Sequence, residues 1–414
     1  MTKIAKIFVF SALLAGLPLA AVEPSFASAE TSSASSETVG IGHHPAVEPS
    51  VASLGTSSAS SETVGIGHHP AEEPSFASAE TSSASSETVG IGHHPAVEPS
   101  AGTVPALPVR VTVSTLNAEA VLDSTVLRAQ VEYLSAPSTG GRVTGTKGSQ
   151  RVIGWIGEHF QNMGLDPIAG TYYHGFRTSA GTFGRNVIGC IKGTSTQERY
   201  IVVMAHFDNL GTLNDTFYPG ADSNASGVAA LLGLARMFAE MRDCGKTYGH
   251  SILFVALDAK EQGMAGADAL HSLLSHRGMQ ADLVVNLDQL GSSLAPLHKD
   301  RPDYLIMLCD SAPNPSAGRT SASSYRLTLE RANIAPGLEL DLGFDYYGSR
   351  DFTRLFYRNI SDQRVFLEHD IPAVMFTSGI TLNNNKPHDT PDTLNYTLLT
   401  RRVRLIFHFL HRLL

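Results

Sequence analysis

Beyond about residue 111 the chain alternates between two kinds of apolar spacing. LNAEAVLDSTVLRAQVEYLS (116–135) and GSQRVIGWIGEHFQNMGL (148–165) repeat apolar residues at three- and four-residue steps. That spacing predicts amphipathic helices, the second stopped at Gly164. Six short, nearly continuous Val/Ile/Leu runs follow: RNVIGCIKG, RYIVVMAH, SILFVALDA, ADLVVNLDQ, DYLIMLCD and IPAVMFTS. Between and after them lie helical stretches, among them ASGVAALLGLARMFAEM and the closing LLTRRVRLIFHFLHRLL. Strands apolar on both faces, covered by intervening helices, predict an α/β three-layer sandwich around a mixed, largely parallel buried sheet, formed as one domain over 111–414.

The first 110 residues read differently. MTKIAKIFVFSALLAGLPLAA has two lysines, an apolar stretch of about fifteen residues and then small residues, the three-part pattern of a secretory signal over 1–21. It is too short to span a bilayer comfortably, and no second run is long enough for a membrane span. Residues 22–110 form a linker containing three copies of a 25-residue unit that end at Pro45, Pro70 and Pro95. Its Ser, Ala, Thr, Pro and Gly cannot bury enough apolar surface to offset chain entropy, so disorder is expected. Each unit carries a His pair (His43-His44, His68-His69, His93-His94), read as a product of duplication or as weak zinc capture.

Charge follows the same division. The formal charge is -9, yet between Lys6 and Arg110 there are ten Glu and no Lys, Arg or Asp, which leaves the remainder near neutrality. Nothing there suggests nucleic acid as a partner. Cys190, Cys244 and Cys309 are too few for a disulfide scaffold, and they read as small core residues with room for one bridge at most. The expected compartment is periplasmic or extracellular.

Ionisable residues recur just beyond the strand-like runs. His206 and Asp208 follow IVVMA; Asp222 lies in GADSNASG before a helix; Glu261 follows ILFVALDA; Asp288 ends LVVNLD; His388 sits in PHDTPDT. In open α/β sheets the binding crevice lies outside the carboxyl ends of the strands, so groups distant in sequence converge there. Each segment alone is ordinary loop or helix-cap chemistry, Ser223 or Asn224 being capping candidates. Together, in this order, they suggest a metal site.

HFD, PGADSNASGVAALL, DAKEQGMAG, NLDQLG, IPAVMFTSG and HDTPDT resemble segments of the zinc peptidase family that includes bacterial leucyl aminopeptidase, glutamate carboxypeptidase and glutaminyl cyclase. The resemblance implies a phosphorylase/hydrolase-like fold and a zinc-dependent exopeptidase acting on peptides, an aminopeptidase in the first instance. It also implies that His206 and Asp288 hold one zinc, Glu261 and His388 another, and Asp222 bridges them, with Asp208 supporting His206.

One departure stands out. Where the family carries a Glu that takes the proton from water, this chain has Lys260. Several readings follow. A neutral Lys260 is the base; or it stays charged, pairs with a ligand carboxylate and leaves room for one zinc; or Asp389, Glu368 or Asp258 takes the proton; or the protein only binds. SDQRVF (361–366) departs from relatives at a pocket-shaping segment. Glutaminyl cyclase activity is the other enzymatic reading, weakened by Pro387 where such relatives carry a Trp beside the last His.

Overall fold

The structure, a computed structural model, describes residues 114–293, 301–309, 322–345 and 350–414. These lie in the unit that comprises Arg110–Leu414. The expected signal segment, the repeats and their His pairs fall outside the described residues.

The helices are α1 (Thr115–Ala120), α2 (Ser124–Ser135), α3 (Lys147–Asn162), α4 (Ser226–Asp243), α5 (Ala265–His276), α6 (Ala322–Ala332), α7 (Arg350–Asn359), α8 (Gln363–Glu368) and α9 (Tyr396–Leu413). The strands are β1 (Asp166–Pro167), β2 (Tyr173–Arg177), β3 (Phe183–Ile191), β4 (Arg199–His206), β5 (Gly211–Leu213), β6 (Thr216–Tyr218), β7 (Ser251–Leu257), β8 (Gln280–Leu287), β9 (Tyr304–Cys309), β10 (Asp341–Gly343) and β11 (Ala373–Thr377). The six apolar runs are therefore β3, β4, β7, β8, β9 and β11. The first helical stretch is two helices, because Asp123 caps the second by accepting from the Thr125 N–H at 2.8 Å. The second ends as expected, with Gly164 at φ 64°.

Strands of the large sheet lie in the order β1-β3-β7-β4-β8-β11-β9-β10, with β2 beside β3. Its centre, β7-β4-β8-β11, is parallel, whereas β3 runs antiparallel to β7 and β9 antiparallel to β11. Alternate residues explain the apolar runs. Ile201, Val203 and Ala205 join Phe254, Val285 and helices α2, α3, α4 and α9 in one core cluster. Tyr200, Val202 and Met204 join Val255, Val284, Leu270 of α5 and Phe366 of α8 in another. Both faces are covered, so both phases of the alternation must be apolar.

Register then places the site. His206 pairs with Leu257, Met204 with Asn286, and Phe376 with Leu287. The four parallel strands thus end at nearly one level, and the residues that follow them share one rim. Among the described residues, no helix is long and apolar enough to cross a membrane.

Candidate metal centre

His206 closes β4 and is fully buried. Its Nδ1 faces the Asp208 carbonyl oxygen at 3.1 Å and an Asp208 carboxylate oxygen at 3.6 Å. A carbonyl oxygen only accepts, so Nδ1 carries hydrogen and donates. The other nitrogen, Nε2, points toward Asp288 Oδ1 at 3.7 Å, and neither of those two atoms has a hydrogen-bond partner. Burial pulls the His206 pKa down, but Asp208 and Asp288 outweigh it and raise it to about 10. Burial likewise opposes the Asp288 charge, yet His206 and Lys260 bring its pKa down to about 2.

Asp208 turns away from solvent to hold the next strand end. Its two oxygens accept the backbone N–H groups of Lys260 and Glu261, each at 2.9 Å. The turn after β7 offers both N–H groups because Ala259 adopts a positive φ of 62°.

Asp222 stands on a short irregular turn between Gly220 and α4. Gly220 has φ 59°, and a Cβ there would come within 2.1 Å of the Asn209 side chain, so only glycine fits. Asp222 Oδ1 accepts from Ser226 Oγ at 2.8 Å and the Gly291 N–H at 2.7 Å, while Oδ2 is buried without a partner. Burial raises the Asp222 pKa. Below it, Asp389 accepts the backbone N–H groups of Asp222 and Ser223 at 2.7 and 3.0 Å.

Three residues that the sequence did not mark as part of the site tie these ends together. The wholly buried Arg142 donates to the carbonyls of Phe207, Leu134, Pro219 and Gly220 at 2.6 to 2.9 Å, linking the His206 and Asp222 loops. Arg402 donates to the carbonyls of Tyr304, Leu290 and Ser292, beyond Asp288. Asn224 donates to the His206 and Leu287 carbonyls and accepts from the Gly227 and Gln289 N–H groups. The sequence suggests Asn224 only as a helix cap; nothing in it singles out the arginines beyond a lone Arg within GGRVTG.

Lys260 lies in the rim. Its side chain is 14% exposed, and Nζ stands 2.9 Å from Glu261 Oε1. Burial would lower its pKa, but Glu261, Asp288 and Asp362 together hold it above the ordinary lysine value. A charged amine cannot accept a proton. Of the other candidate proton acceptors, Asp389 is occupied as above, Asp258 by Thr144 and the Arg185 and Ala259 N–H groups, and Glu368 by Arg364 at the surface. Asp362, which lies within SDQRVF but carries no signal of its own in the sequence, is fully buried with both oxygens unpartnered. Burial pushes its pKa up to about 7.

The structure thus brings together His206, Asp208, Lys260, Glu261 and Asp288, and ties Asp222 to the loop after Asp288 through the Gly291 N–H. His388 is exposed, and its imidazole makes no hydrogen bond or ion pair among the described residues. Among those residues, no group of three or more His, Cys, Asp or Glu side chains stands close enough together to hold a metal ion. The three orphaned donor atoms nevertheless suit zinc, because buried polar atoms left unpaired are costly without a ligand. A small cavity beside Lys260 and Asp288 is lined by Phe356, Ile360, Met375, Ile380 and Asn384. The three cysteines are free thiols.

The pattern of peptidase family M28 matches residues 186–410, more than half of the chain. A probable zinc metalloprotease of Pyrenophora tritici-repentis is 27% identical over 244 residues, covering 53% of this chain and 54% of that protein. The chain spans about half the length of the curated relatives it matches first. Among solved structures, the Legionella pneumophila LapA aminopeptidase superposes with a TM-score of 0.56 at 18% identity, covering 72% of this chain and 74% of that one. Porphyromonas gingivalis glutaminyl cyclase does so with a TM-score of 0.50 at 17% identity, covering 73% and 99%. At such identities the solved structures speak for the fold, and the fold is the expected sandwich. By its family pattern, the chain belongs to peptidase family M28, a family of zinc metallopeptidases.

Proposed function

We propose that this chain is an exported zinc-dependent exopeptidase, most simply an aminopeptidase, that holds its zinc among His206, Asp222, Glu261, Asp288 and His388. The observation that carries this reading is the set of orphaned buried donors, His206 Nε2 and Asp288 Oδ1 at the ends of parallel strands and Asp222 Oδ2 on the turn before α4. Export rests on the N-terminal sequence pattern, and the destination is the periplasm or the cell exterior.

Zinc, when bound, polarises a peptide carbonyl and makes water a stronger nucleophile. The chain's own residues set the rest. Asp208 and Asn224 fix the His206 and Asp288 loops before any ligand arrives. Lys260, held charged, is a hydrogen-bond donor facing the reaction site and can receive no proton there. Asp362 is a buried carboxylate with both oxygens unpartnered that interacts electrostatically with His206, Asp208, Lys260 and Asp288. It stands as the residue to examine for the proton that the family's Glu would take.

The test is hydrolysis of aminoacyl-nitroanilides by the zinc-loaded protein, beside Lys260→Glu. Activity in the parent that disappears on chelation supports the proposal. Activity only in Lys260→Glu favours the second reading, a zinc-binding homologue that recognises peptides without cleaving them, for which Lys260 is the specific observation. Release of pyroglutamyl product from glutaminyl peptides would instead favour cyclase activity.

A further inference from the structure

We propose that the Lys260 ammonium is a built-in cation that takes the place of one metal, so that this chain holds a single zinc on His206, Asp222 and Asp288. This inference rests on the zinc-peptidase reading above. The orphaned donors are not spread evenly over the five candidate residues: His206 Nε2, Asp222 Oδ2 and Asp288 Oδ1, which the resemblance assigns to one metal position, are buried without a partner, and no atom of Glu261 or His388 is. On that side His206 Nε2 and Asp288 Oδ1 stand 3.7 Å apart. Two donors each about 2.0–2.2 Å from one tetrahedral zinc are separated by roughly 3.4 Å, so a small adjustment seats an ion between them.

The other side is already occupied. Glu261 Oε1 carries the Lys260 ammonium at 2.9 Å, and both side chains are mostly buried. His388, the remaining donor there, is exposed and reaches no carboxylate of the site among the described residues. A zinc on Glu261 would lie within a few ångströms of a fixed positive charge on a neighbouring side chain, with little water to screen it.

Charge counting agrees. One zinc and the ammonium together match the three carboxylates of Asp222, Glu261 and Asp288. A second zinc would leave an excess of two positive charges, which an ionised Asp362 would only halve. A buried site tolerates the balanced arrangement and not the unbalanced one.

The experiment is elemental analysis of zinc per chain after zinc loading and exchange into metal-free buffer. It uses the full chain with His43→Asn, His44→Asn, His68→Asn, His69→Asn, His93→Asn and His94→Asn, so that the repeats contribute no zinc. The parent should carry one zinc, and His388→Ala should still carry one. Asp288→Asn should lose it, and Lys260→Glu should carry two. Circular dichroism establishes that each variant is folded before its metal is counted. Two zincs in the parent would overturn the inference and leave the zinc-peptidase reading standing. None in the parent would overturn both. A folded Lys260→Glu that still carries one zinc would show that Lys260 does not set the number.

Discussion

The carboxylate of Asp208 accepts the backbone N–H of Glu261 at 2.9 Å, and its other oxygen accepts the N–H of Lys260 at the same distance. One side chain after β4 thereby fixes the turn after β7, and the His206 imidazole that leans on Asp208 is fixed with it. Asp208→Asn keeps one acceptor and turns an amide donor toward an N–H group, so the turn loses one of its two anchors. Loss of such an outer support typically weakens metal binding about 10–100-fold. Zinc competition titration should show a drop of that order, and unchanged affinity would remove Asp208 from this role.

Arg142 is a sharper case because its contacts are all to backbone. Arg142→Ala strands the Phe207 and Pro219 carbonyl oxygens in a buried place, whereas those of Leu134 and Gly220 keep the Thr139 hydroxyl and the Ala225 N–H. Each unsatisfied buried group costs about 1–3 kcal/mol, so urea unfolding should show a loss of at least about 2 kcal/mol. Arg142→Lys keeps the charge but cannot reach all four acceptors from one nitrogen, and should fall between. A loss below about 1 kcal/mol in Arg142→Ala would mean that water replaces the guanidinium.

Zinc should stabilise the folded protein in proportion to its occupancy. At a free concentration of 100 times Kd, a ligand that binds only the folded state adds about 2.7 kcal/mol. Tm should therefore rise with zinc, fall back with chelator, and not respond in Asp288→Asn. An equal zinc response in Asp288→Asn would place the ion elsewhere.

A pH dependence unrelated to the metal is expected at the C-terminal helix. Burial, with Lys246 adding to it, lowers the His411 pKa to about 4, and its Nδ1 shares a hydrogen bond with the Tyr248 hydroxyl at 3.0 Å. The unfolded chain takes up this proton near its ordinary value of about 6.5. Stability from this group is therefore complete above about pH 6.5 and is lost as pH falls toward 4, because the unfolded state binds the proton first. Denaturation curves of His411→Gln should be flatter than those of the parent in that window; parallel curves would exclude His411 as the cause.

Much of this is legible in the sequence, for physical reasons. Strands buried on both faces must be apolar on both faces, so all six central strands announce themselves, and the candidate ligands that follow them come with the strand ends. Asp208 and Asp222 stand out because a short polar motif interrupts an apolar run. Other features leave no such mark. Arg142 and Arg402 act through backbone carbonyls contributed by distant turns, and no spacing rule records which carbonyls a fold will leave unpaired. Asp362 looks like an ordinary loop residue because its isolation from hydrogen-bond partners is a property of the packed site. Lys260 is conspicuous, yet its partner is not: only the turn held by Asp208 brings its amine back onto the adjacent Glu261. The break between α1 and α2 is hidden because the apolar spacing continues across Asp123 while the backbone does not.

Diffraction from zinc-grown crystals, recorded at the zinc absorption edge, tests the central claim most directly. The account predicts one anomalous peak between His206 Nε2 and Asp288 Oδ1, within about 2.0–2.2 Å of each and within reach of Asp222 Oδ2. Absence of a peak at that position, with the protein folded and zinc in excess, would contradict it.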